Sequence, residues 1–166
     1  PICLRQGVAE GMTVIARRPY ERLFREMATH PAPDFPDELA SNKAQFKFMP
    51  VDEKLHLADD TMTLDVYWVR NNIHMADAVF AYAPQQKVII EGDIATAAWD
   101  YQFWPDSMRD AIEYYKLDPQ KLSPVHSVWT EHPDVLTMDQ VDELIKGGTQ
   151  RARERCATRS APCSGT

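Results

Sequence analysis

The apolar and polar positions alternate, cluster and repeat in ways that divide the chain into short elements. Leu4 to Glu10 reads as the end of a helix stopped by Gly11, and Met12 to Ala16 as a short buried strand. Pro19 opens a second helix through about Ala28, with Tyr20, Leu23, Phe24 and Met27 at helical spacing. Residues 31–50 are Pro-rich and read as irregular, with a short helix around Asp37 to Ala40. A β region follows. Glu53 to Leu57 is a strand, Asp59-Asp60 a turn, and Met62 to Val69 alternates with period two, which buries one face. Asn71-Asn72 marks a loop. Ala78 to Ala83 and Lys87 to Glu91 form a hairpin about Pro84-Gln85-Gln86.

Beyond Asp93 the period changes. Ser107 with Asp110 resembles a capping box, and Met108, Ile112 and Tyr115 line one helical face. Val125 falls in a short strand. Thr137 with Gln140 makes a second capping box ahead of the stripe Val141, Leu144 and Ile145. Gly147-Gly148 weakens that helix, which resumes to Cys156, and residues 157–166 read as a disordered tail. Internal repeats are absent. The expected fold class is α/β, a mixed sheet with helices on one face.

Composition narrows the function classes. A chain of 166 residues with 44% hydrophobic positions supports one domain and a real core. The net charge of -7 argues against nucleic acid, because no basic field offsets phosphate repulsion. The basic stretch from Arg151 to Arg159 reads as a solvated helix end and tail. Cys3, Cys156 and Cys163 are odd in number and form no C-x-x-C pair, so reduced thiols in a cytosol are expected rather than a disulfide framework or zinc finger. No apolar run approaches the ~20 residues of a membrane span, and no signal peptide is evident. The sequence starts with Pro1 rather than Met, so a leader removed upstream stays open.

The candidate chemistry lies at strand ends. Asp93 closes Lys87-Val88-Ile89-Ile90-Glu91-Gly92-Asp93. Eighteen residues separate it from His74, and thirty-two separate it from His126 in Ser123-Pro124-Val125-His126. His, Asp and His at three strand ends beside loops could meet at one point, as donors suited to zinc or iron. Singly each has a bland reading: a solvated histidine, a Gly-Asp turn, a loop cap. His30, His56 and His132 lack the strand-end placement. Trp99, Tyr101, Phe103 and Trp104 are either a packed lid over the core or the wall of a substrate pocket. The chain has no G-x-S-x-G elbow and no Gly-rich phosphate loop.

The segments Asn72 to Asp77, Ala83 to Asp93 and Ser123 to His126, taken in order, resemble the second half of metallo-β-lactamase-fold hydrolases, closest to the glyoxalase-II-like ones. The likeness runs from about Leu4 to Cys156. It implies half of a four-layer αββα sandwich over residues 1–156. It also implies that His74 completes a first metal, Asp93 bridges two, and His126 binds the second. In that family the metals activate a hydroxide that attacks an ester, thioester or amide carbonyl. The family's H-x-H-x-D-H motif, which supplies most of the ligands, does not occur in this sequence. The expectation is therefore a hydrolase-like fragment that binds no metal tightly and is inactive alone. Zinc or iron chemistry would require a second chain, such as an N-terminal half, to complete the site. A non-catalytic binding or scaffold module is the other reading. A sheet without its partner layer implies an exposed apolar face and a homodimer across it.

Overall fold

The computed structural model describes residues 2–31, 33–42, 44–72, 75–92, 94, 104–124 and 135–158, with side chains given outside 2–3, 104–105, 148–149 and 151–158. The chain forms two compact units, Pro1–Leu55 and His56–Thr166.

In the first unit, α1 (Ile2–Ala9) ends where Gly11 turns left-handed at φ 79°. Met12 N–H donates to Gly7 O and Gly11 N–H to Val8 O, the paired bonds of a Schellman stop, which only a residue tolerant of positive φ accommodates without strain. β1 (Thr13–Arg17) leads into a single 3₁₀ turn at Arg18–Tyr20, and α2 (Glu21–Thr29) follows. The helix expected from Pro19 therefore begins tighter than an α-helix. Its exposed face carries Glu21–Arg25 and Arg22–Glu26 pairs one turn apart. α3 (Glu38–Asn42) occupies the site expected for a short helix. β2 (Lys47–Val51) lies parallel to β1, with Ala16 opposite Pro50, in a stretch that reads as irregular in the sequence. Pro50 masks the strand pattern. It is tolerated because β2 has one bonded neighbour among the described residues and can spare an N–H. Val8, Ala28 and Leu39 form the small core, flanked by Leu4, Val14 and Phe46.

One side chain fastens this unit. Arg5 donates to the carbonyls of Met27, Ala28 and His30 at the end of α2, and pairs with both carboxylate oxygens of Asp37. It thereby supplies donors to carbonyls that the helix end leaves without intrahelical partners. The Arg5 hydrogen bond, aided by the Ala40 N–H, lowers the Asp37 carboxyl to about 2. A carboxylate held below its unfolded value contributes stability above that value and loses it as pH falls. Acidification from about pH 4 toward 2 should therefore weaken this unit. Arg5→Ala should lower the thermal midpoint by several degrees at neutral pH and flatten that acid dependence. Melts of both proteins across this range check it, and parallel curves would refute the clamp.

The second unit is built on a six-stranded sheet in the order β3-β4-β5-β6-β7-β8: β3 (Lys54–Ala58, which crosses the unit boundary), β4 (Thr63–Trp68), β5 (Val79–Ala83), β6 (Val88–Glu91), β7 (Lys121–Pro124) and β8 (Leu136–Thr137). β4-β5, β5-β6 and β7-β8 pair antiparallel, whereas β6-β7 is parallel, its crossover running through α4 (Trp104–Tyr114). The sheet is mixed, as the sequence implied. Tyr67, Phe80, Ile89, Leu122 and Leu136 project from one face into a core shared with Met108, Ala111 and Ile112 of α4 and Val141 of α5 (Met138–Thr158). Tyr67 stacks on Phe80 with ring centroids 5.5 Å apart.

Helix limits show which local signals were real. Thr137 and Gln140 make the reciprocal capping box: Thr137 N–H donates to Gln140 Oε1 at 2.8 Å, and Gln140 N–H to Thr137 Oγ1 at 3.3 Å. Ser107 is not a cap. α4 starts at Trp104, with Pro105 in its first turn, so Ser107 is interior and buried. α5 passes through Gly147-Gly148 without a break and reaches Thr158, two residues into the segment expected to be disordered. Residues 159–166 lie outside the described residues, as does Val125, the strand residue expected after β6; the strand itself is Lys121–Pro124.

Candidate functional site

Four strand termini form one row across an edge of the sheet. Trp68, at the end of β4, pairs with Val79, at the start of β5. Phe80 pairs with Glu91, at the end of β6, and Glu91 with Pro124, at the end of β7. β6 and β7 run parallel, so both deliver their following loops to that edge, the usual place for a site in such sheets. In sequence, Asp93 is two positions after Glu91 and His126 two positions after Pro124, while His74 sits in the connection between β4 and β5. His74, Asp93, His126, Trp99, Tyr101 and Phe103 lie outside the described residues. Trp104 is the first residue of α4.

The described residues of this edge include buried polar groups that read as mere punctuation in the sequence. Asn72 is 8% exposed. Its Nδ2 donates to Ser107 Oγ at 3.0 Å, and its Oδ1 accepts from Met75 N–H at 2.8 Å. Glu91 is 5% exposed and accepts from Ile94 N–H at 2.6 Å through Oε2. Ile94 itself is fully buried in the core. A glutamate ending an otherwise apolar strand was the available signal, since a buried carboxylate is costly unless hydrogen-bonded. In the first turn of α4, burial and then the Asp110 charge push the Asp106 carboxyl above its ordinary range.

A second polar group sits away from that edge. His56 of β3 places Nδ1 2.6 Å from Asp65 Oδ1 on β4, and Tyr67 Oη donates to Asp65 Oδ2 at 3.3 Å. His56 thus has a carboxylate partner that strand-end reasoning did not anticipate. Nearby in sequence, the Arg70 guanidinium lies over the Tyr114 ring at 4.4 Å. Among the described residues, no three His, Cys, Asp or Glu side chains cluster as a metal ion would require. Donor chemistry gives a divided answer for a metal at the strand-end positions. Two imidazoles and a carboxylate suit zinc or iron by type, but a dinuclear centre needs more donors than three.

No protein-family model and no curated protein matches the sequence. Solved structures do match. A metallo-β-lactamase from Pontibacter korlensis superposes with TM-score 0.56 at 16% identity, over 88% of this chain and 62% of that one. The chemotaxis sensor ODP from T. denticola, in its apo state, gives 0.54 at 11% identity over 87% and 64%. The flavodiiron protein from Giardia intestinalis gives 0.53 at 13% identity over 89% and 37%. The chain therefore has the metallo-β-lactamase fold, in part: it spans less than two thirds of the length of each of these three structures.

Proposed function

We propose that this chain is a metallohydrolase-like portion of the metallo-β-lactamase fold that is catalytically incomplete by itself. The observation that supports the reading is the row of strand termini Trp68, Val79, Glu91 and Pro124 at one edge, next to which His74, Asp93 and His126 follow in the sequence, in a chain without H-x-H-x-D-H. His74, Asp93 and His126 would hold zinc or iron there, split over two ions, with Trp99, Tyr101, Phe103 and Trp104 walling the pocket. When bound, such metals supply a hydroxide nucleophile and polarise a carbonyl. With Asp93 bridging, two ligands on each ion fall short of the three or four that hold a catalytic zinc.

A second reading is a hydrolase of esters, thioesters or amides whose remaining ligands come from another chain. A binding or scaffold module that keeps the pocket without metal chemistry is the third. We assign the chain to the cytosol, on its odd cysteines and lack of a C-x-x-C pair. Among the described residues no helix is long and apolar enough to cross a membrane.

Purified chain should show no zinc-dependent turnover of ester, thioester or β-lactam substrates above background. Turnover that EDTA abolishes, zinc restores and His74→Ala removes would overturn the incomplete-site reading in favour of the second.

A further inference from the structure

We infer that His56 is a nucleophilic imidazole that accepts acyl groups from activated esters at Nε2, without a metal ion and apart from the strand-end positions. The observation behind it is a line of hydrogen bonds running from the core to the surface. Tyr67, 5% exposed, donates through Oη to Asp65 Oδ2 at 3.3 Å, and His56 Nδ1 lies 2.6 Å from Asp65 Oδ1. The Asp65 side chain is 10% exposed, whereas that of His56 is 60% exposed. A carboxylate takes donors on both oxygens, which assigns the ring hydrogen to Nδ1 and leaves Nε2 its lone pair. Among the described residues, Nε2 has no hydrogen-bond partner.

β3 presents the ring to solvent. It is the first strand of the six-stranded sheet, bonded to β4, and its exposure alternates, with Lys54, His56 and Ala58 exposed and Leu55 and Leu57 half-buried. A solvated ion pair would pin such a strand equally well. Here the carboxylate is buried, which is costly unless its oxygens are satisfied, and the group that satisfies one of them is an imidazole held in a single tautomer. The step this supports is acyl transfer. The Nε2 lone pair attacks the ester carbonyl carbon, an N–C bond forms, and the C–O bond breaks with its electron pair leaving on the phenol oxygen. The ring, still carrying its hydrogen at Nδ1, becomes cationic, and the Asp65 carboxylate opposes that charge. Water then attacks the acyl carbon, the N–C electron pair returns to Nε2, and the carboxylic acid leaves. The proton lost by the water balances the released phenolate. The step relies on the ring and its carboxylate, which suits aryl esters rather than amides.

The test uses the purified chain with EDTA present, at about pH 8, above the ordinary imidazole value of about 6.5. Diethyl pyrocarbonate labels imidazoles stably, and peptide mass spectrometry gives a rate for each histidine. His56 should be labelled about five-fold faster than His30, which is also exposed but has no carboxylate partner among the described residues. Asp65→Asn should bring the two rates together, because an amide can donate to Nδ1 and shift the ring hydrogen to Nε2. A merely structural bond would change the thermal midpoint and leave the ratio alone. His56→Gln should lower p-nitrophenyl acetate hydrolysis by about half or more, the remainder coming from other imidazoles. Equal labelling of His56 and His30 in the wild type overturns the proposal. A ratio that survives in folded Asp65→Asn overturns it too, as does hydrolysis unchanged in His56→Gln. If circular dichroism shows that Asp65→Asn does not fold, the wild-type ratio and the His56→Gln arm decide.

Discussion

Phe80→Ala should unfold the second unit at a much lower urea concentration than wild type. Phe80 is 1% exposed, at the centre of the six-stranded sheet, stacked on Tyr67 and inside the cluster formed by both strands and helices. Truncating a buried Phe to Ala loses its transfer free energy and leaves a cavity, typically about 3–5 kcal/mol together. A domain of this size is stable by only about 5–15 kcal/mol in total, so the substitution removes a large share. Tyr67 cannot fill the gap, because its hydroxyl is committed to the buried Asp65 carboxylate. Urea melts followed by far-UV circular dichroism measure the change. A loss below about 1 kcal/mol would show that this face of the sheet is not the core described above.

The second large effect concerns assembly. The two faces of the six-stranded sheet differ at Ile90, which is half-exposed on the outer one. One carries Tyr67, Phe80 and Ile89 into the core, whereas the other carries Val66, Trp68, Val79, Ala81, Ala83 and Ile90, of which Val66 and Ala83 are buried, Ile90 is 49% exposed and the rest are half-buried. A proposed two-fold dimer stacks these outer faces together. A standard interface buries about 800 Å² per partner; at ~25 cal/mol per Å² that is on the order of 20 kcal/mol gross, much of it offset by the cost of association. At micromolar concentration light scattering should give a mass near twice 19.0 kDa. Ile90→Asp should return the mass to one chain while circular dichroism stays unchanged. Ile90 is a better probe than Trp68, whose indole N–H is already engaged with Ala76 O and whose loss would disturb the β4–β5 connection. A wild-type mass near 19.0 kDa would refute the dimer.

Much of the fold was legible in the linear pattern because its signals are local. The strand in the run Met62 to Val69, the hairpin about Pro84-Gln85-Gln86 and the Thr137/Gln140 capping box each depend on residues within a few positions and appear where the pattern places them, but Asp65, Val66 and Tyr67 are all buried, so β4 is covered on both faces and not on the one that its alternation implied. The α/β class followed from these. What only the tertiary structure decided involves residues distant in sequence. β2 carries a proline and alternates poorly, so its strand character comes from pairing with β1, more than thirty positions earlier. Ser107 has the look of a helix cap, but its hydroxyl is spent on Asn72, and α4 begins one turn earlier. The parallel register Glu91↔Pro124 aligns the ends of β6 and β7 across a crossover that no local signal encodes. The candidate site has the same division. Residue types at His74, Asp93 and His126 set the chemistry in question, and the fold alone sets which strand ends share an edge. Asn72 was silent in the sequence and Glu91 showed only as a charge ending an apolar strand, because a buried polar side chain differs from an exposed one only through the neighbours that surround it.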